Sequence, residues 1–307
     1  MLVTGASGFI GRHVVDRLLH NGTEVIAFDC RIDTRNRRDI EFIVGDIRDE
    51  VAVAEAVGQA TSWIHLAGVL GTQETISNPR PAAEVNILGG LNVLQAASQH
   101  RTPGTYISVG NWFEDNPYSL TKYSVERFCS MYRKYHDVNV GVVRGFNAYG
   151  PGQSIPPPYG RGPVRKIVPS FVSRAIHGDD IEIYGSGQQV MDMIYVTDLA
   201  NIIVACTDYL TDGGDADVIF EAGTGRRTTV AEIAGEVLRA VGSGQIKHLP
   251  IRKGETADSV VLANPETLGP LGIRTNDLIS LEAGIKQTVE HYRKEFSVTS
   301  DSRSARN

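Results

Sequence analysis

Tyr118 and Lys122 stand four residues apart in Tyr118-Ser119-Leu120-Thr121-Lys122. On a helix that spacing brings both side chains to one face. A lysine ammonium beside a phenol stabilises the phenolate and lowers its pKa from the ordinary value of about 10. Tyr118 is therefore a candidate general base. The competing reading is a pair of surface residues, since Tyr-x-x-x-Lys arises often by accident. Context weighs against accident: the pair follows Asn116-Pro117 and comes one strand after an apolar run that ends in Ser108.

A second constellation lies at the start of the chain. Thr4-Gly5-Ala6-Ser7-Gly8-Phe9-Ile10-Gly11 places glycines at 5, 8 and 11 across a strand-to-helix turn. Gly5 permits the tight turn, Gly8 the close approach of a pyrophosphate, and Gly11 close helix–strand packing. Ser7, Phe9 and Ile10 complete the turn and open the helix, whose N-terminal N–H groups and partial positive charge suit phosphates. An acid, Asp29, ends the next strand. A carboxylate there accepts hydrogen bonds from adenosine ribose hydroxyls and repels a 2′-phosphate, which favours NAD over NADP. Arg31 is the counter-argument, because a nearby arginine can hold that phosphate. A glycine turn with no ligand is the bland alternative, and it leaves the strand, helix and acid without a common purpose.

These residues need a scaffold, and the first half of the chain supplies one. Short apolar runs alternate with helical patterns, the mark of a parallel α/β sheet. Strands are expected at Leu2-Val3, Glu24–Phe28, Phe42–Val44, Ser62–Leu66, Thr105–Ser108 and Val138–Arg144, with helices at Phe9–His20, Val85–Ser98 and Ser119–Tyr135. Gly150-Pro151-Gly152 and Ile155-Pro156-Pro157-Pro158 exclude helix and central strand and mark a boundary. Beyond it come a helix near Pro169–His177, strands at Ile181–Tyr184 and Val218–Ala222, a helix from Asp198, and amphipathic helices at Thr229–Val241 and Leu281–Glu295. The fold class is α/β: a Rossmann-type doubly wound parallel sheet with a smaller C-terminal α/β domain. Residues 1–150 form the dinucleotide domain, with 191–223 returning to it. Residues 151–190 and 224–296 form the second domain, and the polar stretch 297–307 is expected to be a disordered tail.

Composition narrows the function classes. The 307 residues carry 30 Lys plus Arg against 36 Asp plus Glu, a net charge of −6. A mildly acidic chain without a long basic run has no electrostatic reason to seek nucleic acid, and the basic stretch Arg31–Arg38 is read as a solvated loop. No apolar run reaches membrane-spanning length. Cys30, Cys129 and Cys206 are far apart and match no metal-ligand spacing, so they are read as reduced thiols and no metal is expected. Met1 leads straight into the first strand, leaving no room for a signal peptide, and a cytoplasmic location is expected.

Taken together, these motifs resemble those of the extended short-chain dehydrogenase/reductases, in particular the NAD-dependent nucleotide-sugar epimerases and dehydratases. The resemblance runs over nearly the whole chain. It implies that Gly45-Asp46-Ile47 lies along the adenine, with Asp46 and Ile47 contacting the cofactor. His65-Leu66-Ala67-Gly68 would line the cofactor through Leu66, Ala67 and Gly68. It also implies that Ser108 hydrogen-bonds the reacting sugar hydroxyl, that Lys122 holds the nicotinamide ribose, and that Asn147, in Val143–Pro151, reaches the nucleotide-sugar. Ile183-Tyr184-Gly185-Ser186-Gly187 and Asp192–Asp198 resemble the family's sugar-nucleotide stretch, with Tyr184 in contact. Relatives form homodimers, here through the helices around Val85–Ser98 and Ser119–Tyr135, the second bearing a stripe of Leu120, Phe128, Met131 and Tyr135. The alternative for that stripe is packing on the sheet.

Two departures bear on function. Where the family has a diphosphate-contacting arginine just before the aspartate at 192, this chain has Met191; Arg252 matches a second such arginine, and Arg165 with Lys166 offers further charge. After Ser108 the chain reads Val109-Gly110-Asn111, where dehydratases carry Asp-Glu. The leading reading is a nucleotide-sugar 4-epimerase that oxidises C4 transiently and returns the hydride, with NAD retained. A 4,6- or 5,6-dehydratase using Glu114 or Asp115 is the alternative within the fold, although loop solubility is the favoured reading of those two acids. A non-catalytic dinucleotide sensor is the alternative of another class, and it has no use for a base.

Overall fold

The computed structural model describes residues 1–31, 40–251 and 259–304, with side chains as far as 297. In chain order the first elements are β1 (Leu2–Thr4), α1 (Phe9–His20), β2 (Ile26–Asp29), β3 (Glu41–Val44), α2 (Glu50–Gly58) and β4 (Trp63–His65). A short turn α3 (Arg80–Ala82) and a π-helical turn (Ala83–Leu88) then lead into α4 (Gly89–His100), β5 (Gly104–Val109), α5 (Pro117–His136) and β6 (Val140–Gly145). There follow β7 (Asn147–Tyr149), α6 (Ile167–Ile176), β8 (Ile181–Tyr184), β9 (Val190–Met191), β10 (Met193–Tyr195), α7 (Val196–Thr211) and β11 (Ile219–Ala222). The last are β12 (Thr228–Thr229), α8 (Val230–Val241), β13 (Ile246–Leu249), β14 (Val260–Val261), two 3-10 turns (Pro265–Leu271 and Thr275–Asp277) and α9 (Leu281–Ser304).

Seven parallel strands form one sheet in the order β11-β6-β5-β4-β1-β2-β3. From β1 the chain moves outward to β2 and β3, then returns to the other side of β1 for β4, β5, β6 and β11. That reversal puts the switch point of a doubly wound sheet between β1 and β4, where such sheets bind ligands beyond the strand C-termini. Strand alternation clothes both faces. The Tyr106 hydroxyl donates to the Lys122 carbonyl of α5, whereas Thr105, one residue earlier, hydrogen-bonds Thr207 of α7 at 2.8 Å. On the α5 face a core of Leu2, Phe28, Trp63, Tyr106 and Val142 packs against Val53, Val57, Val93, Leu94, Val125 and Cys129 of α2, α4 and α5. Strands buried on both faces read as continuous apolar runs, which is why the sequence signals them without alternation.

The chain divides into two compact units: 1–146 with 197–223 and 263–277, and 147–196 with 224–262 and 278–307. The second unit is built from small ladders, β10-β7, β12-β9-β14 and β13-β8, around a core that includes Tyr149, Phe171, Ile183, Tyr195, Ile233, Ile285 and Tyr292. These boundaries shift the sequence reading. Residues 147–150 and 191–196 belong to the second unit because β7 pairs with β10 and not with the large sheet. Residues 263–277 belong to the first, held where Thr267 Oγ1 accepts the Glu221 N–H and Glu221 accepts the Asn264 N–H. The polar run from Ser297 continues α9 as far as Ser304 and does not leave the helix at 297. The basic stretch beyond Arg31 lies mostly outside the described residues.

Candidate active site

The glycine turn is as tight as its sequence implies. Gly5 has φ +70°, and a Cβ there would lie 2.7 Å from the Ala67 nitrogen. A Cβ on Gly11 would lie 2.1 Å from the Gly5 carbonyl oxygen, and one on Gly8 would sit 3.0 Å from the same atom. The turn therefore lies directly on residues 66–67 after β4, so the two strand ends that flank the switch point meet here. Gly8 is the N-cap of α1 and supplies no side chain, and the first turn carries no acid, so the N-terminal N–H groups stay available to an anion. Ser7, Phe9 and Ile10 are all partly exposed around this end.

Asp29, at the end of β2, is buried and reaches across to the same turn. One carboxylate oxygen accepts the Ser7 N–H at 3.0 Å and the other the Arg31 N–H at 3.0 Å. Each oxygen keeps a second acceptor position, which is what a pair of ribose hydroxyls requires. The Ser7 hydroxyl closes the loop by donating to the Arg31 carbonyl at 2.7 Å. Asp46 is engaged bidentately by Arg48, a pairing that lowers its carboxyl pKa. Ile47 is buried against Gly89, and its carbonyl accepts the Asn92 amide. Leu66 and Ala67 donate their N–H groups to Thr4, and Gly68 is exposed beside the Asn86 amide oxygen. A cradle that side chains would fill, an uncapped helix end and a buried carboxylate at the neighbouring strand fit a bound dinucleotide.

Tyr118 and Lys122 begin α5, which starts where a capping residue and a proline demand it. Asn116 accepts the Ser119 N–H at 2.9 Å, and Pro117 occupies the first helical position. Lys122 is buried, and its Nζ lies 4.3 Å from the centroid of the Tyr106 ring. Tyr106 and Ser108 are two residues apart on β5 and so share a strand face. The Ser108 hydroxyl is buried with no hydrogen-bond partner among the described residues. An unsatisfied buried hydroxyl costs free energy, and this one is able to donate to a ligand atom.

The electrostatics correct one expectation. Burial pushes the Tyr118 phenol up to about 12 and the Lys122 amine down to about 7. Lys122 does not bring Tyr118 below its ordinary value, because burial disfavours the charged form of each. His65 is held neutral, pushed down to about 3 by burial and then by Lys122, while Thr4 Oγ1 lies 2.7 Å from its Nδ1.

Asn86 is a residue the sequence reading did not single out. It is buried in the π-helical turn, accepts the Val69 N–H at 2.7 Å, and donates to the Val69 carbonyl and to Thr121 Oγ1. Thr121 in turn donates to the Tyr118 carbonyl. One amide thus ties the segment after β4 to the helix that carries Tyr118 and Lys122. A polar residue inside Val85-Asn86-Ile87-Leu88 was the available signal. Glu114, in the loop between β5 and α5, accepts the side-chain amides of Asn111 and Asn116, and Trp112 lies over the Arg144 guanidinium, which pairs with Glu126 and Glu221.

In the second unit, Asn147 donates its amide to the Asp192 carbonyl, and Arg165 meets Tyr184 Oη and Glu182, each at 2.9 Å. Arg165 and Tyr184 are therefore brought together; Arg252 lies outside the described residues. Cys30 is exposed, Cys129 and Cys206 are buried, and all are free thiols. Among the described residues no helix is long and apolar enough to cross a membrane.

The chain is similar in sequence and fold to known proteins. The chain is 29% identical over 282 residues to the low-salt glycan biosynthesis protein Agl12 of Haloferax volcanii, covering 83% of this chain and 87% of that protein. It is 29% identical over 325 residues to the UDP-glucose 4-epimerase of Mycolicibacterium smegmatis, covering 95% and 98%. The crystal structure of Thermotoga maritima UDP-glucose 4-epimerase with UDP-glucose superposes with a TM-score of 0.85 at 29% identity, covering 96% of this chain and 99% of that one. Residues 1–220 match the model of the NAD dependent epimerase/dehydratase family. With that match over most of its length, the chain belongs to the NAD dependent epimerase/dehydratase family and is an enzyme whose cofactor is NAD.

Proposed function

We propose that the chain is a nucleotide-sugar 4-epimerase that works by transient oxidation at C4. The observation that carries this reading is the buried, partnerless Ser108 hydroxyl on the strand face of Tyr106, the residue that grips Lys122. Similarity to the Thermotoga and Mycolicibacterium 4-epimerases supports the same choice. Bound NAD supplies an acceptor and then a donor of hydride. The glycine turn and the N-terminus of α1 hold its pyrophosphate, and Asp29 holds the adenosine ribose. Tyr118 takes the proton of the sugar 4-hydroxyl as hydride leaves C4, and gives it back when hydride returns to the other face. Ser108 donates to the oxygen while it is a carbonyl. Tyr118 therefore enters the oxidation step as the phenolate and leaves it as the phenol, and the charge of protonated Lys122 favours the phenolate against the upward push of burial.

The dehydratase reading needs a mobile carboxyl group beside the sugar. Glu114 is instead occupied with two side-chain amides of its own loop, which favours the epimerase. A sensor would not need a base held as Tyr118 is. We also infer a cytoplasmic homodimer through α4 and α5. Leu88, Leu120 and Tyr135 stay exposed there, whereas Phe128 packs on the core. Sedimentation at several concentrations tests the dimer, and a monomer mass throughout rejects it.

The test of function is to incubate the purified protein with UDP-glucose, UDP-N-acetylglucosamine, dTDP-glucose and GDP-mannose and to follow products by NMR. A C4 epimer of one of them is expected. Tyr118→Phe should keep the fold and bound NAD and lose about 10² to 10⁴ in rate. Near-normal turnover in that variant would refute the assigned base.

A further inference from the structure

We propose that Arg226 and Arg227 form the cation site for the diphosphate of the substrate, in place of the arginine that is absent at Met191. The proposal rests on the nucleotide-sugar reading above. Its starting point is Asp192, whose side chain is fully buried at 0% exposure. That carboxylate accepts the Thr224 N–H at 2.7 Å, the Thr224 hydroxyl at 2.8 Å and the Gly225 N–H at 2.7 Å. The turn is closed by the Arg226 N–H donating to Thr224 Oγ1 at 3.2 Å, with Gly225 at φ +72°. On the far side, Thr228 pairs with Met191 in the β12–β9 ladder, and Thr229 forms a capping box with Glu232 at the start of α8. The backbone of Arg226 and Arg227 is therefore pinned at both ends.

The two side chains it presents are exposed, and among the described residues neither has a partner. Asp192 does not neutralise them, because its acceptor positions serve the N–H and hydroxyl groups of the turn. Two unpaired guanidiniums on one fixed turn can each give charge-assisted hydrogen bonds to a dianion. The residue that holds this turn also holds the one assigned to the nucleotide-sugar: the Asn147 N–H and side-chain amide both donate to the main-chain carbonyl of Asp192, at 3.1 and 3.2 Å. Of the other cations considered for this role, Arg165 already faces Glu182, and Arg252 lies outside the described residues. A fixed turn with two uncommitted arginines next to Asn147 is what a diphosphate subsite needs.

The test uses the full chain with its bound NAD and titrates UDP, dTDP and GDP by calorimetry. Wild type should bind at least one of them. Arg226→Gln with Arg227→Gln should weaken that diphosphate by about tenfold or more, with NAD content and melting temperature unchanged. Arg226→Lys with Arg227→Lys keeps the charge and should stay within about threefold of wild type. Unchanged affinity in the glutamine variant overturns the proposal alone, as does an equal loss in the lysine variant. Failure of wild type to bind any of the three overturns the nucleotide-sugar reading as well.

Discussion

Tyr106 grips Lys122 at both ends: its ring lies 4.3 Å from the ammonium nitrogen, and its hydroxyl donates at 3.0 Å to the lysine carbonyl. One strand residue thus fixes the reach and the root of the lysine that the proposed function pairs with Tyr118. The ring offers a negative face to the buried cation, and the hydroxyl anchors the helix to the strand.

Separate variants resolve the two contacts. Tyr106→Phe removes the hydrogen bond and should cost about 0.5–1.5 kcal/mol in stability, with turnover within a few-fold of wild type. Tyr106→Leu also removes the ring and should slow turnover further by exposing Lys122 to full desolvation without a π-face. Equal kinetic loss in both variants would show that the ring does not support the cation.

Lys122 should be a stability cost as well as a catalytic asset. Its pKa is pushed down to about 7 from 10.5, so between those values the unfolded chain binds the extra proton and stability rises with pH. The penalty is full below about pH 7 and absent above about 10.5. Lys122→Met, stripped of cofactor, should therefore be more stable than wild type by on the order of a few kcal/mol near neutral pH, at about 1.4 kcal/mol per pKa unit. That gain should shrink as pH rises toward 10.5, and turnover should be lost. Chemical denaturation across this range is the measurement. A gain independent of pH would place its origin in packing.

Asp29→Ala should weaken NAD and relax discrimination against NADP, because the 2′-phosphate then meets no carboxylate. It also removes acceptors from the Ser7 and Arg31 N–H groups, so some loss of affinity for both cofactors is expected. Unchanged relative affinity for NAD and NADP would show that Asp29 does not meet the ribose.

Glu114→Gln with Asp115→Asn removes the carboxylates of the β5–α5 loop while roughly keeping their shape. Hydride transfer and return through Tyr118 should slow by no more than a few-fold. An elimination that relied on either acid would lose about 10² or more.

The parts of this site readable in the sequence are those fixed by local geometry. The Tyr118–Lys122 spacing, the glycine turn and Asp29 at the end of β2 follow from helical and strand periods. Asn86 was not readable, because its partners Val69 and Thr121 lie 17 and 35 residues away and only the fold joins them. The direction of the Tyr118 shift was misjudged for a related reason: spacing reports a neighbouring charge, whereas desolvation depends on what covers the pair. The boundary after residue 150 falls four residues late, since the Gly-Pro punctuation follows β7, which already pairs within the second unit.

On the proposed function, hydride returns to C4 without exchange with solvent. This is tested most directly by running the turnover reaction in deuterated water and reading the product by NMR. The expected product is a C4-epimerised sugar whose carbon-bound hydrogens are all retained as protium. Deuterium on carbon, or a product that has lost a hydroxyl group, would contradict it.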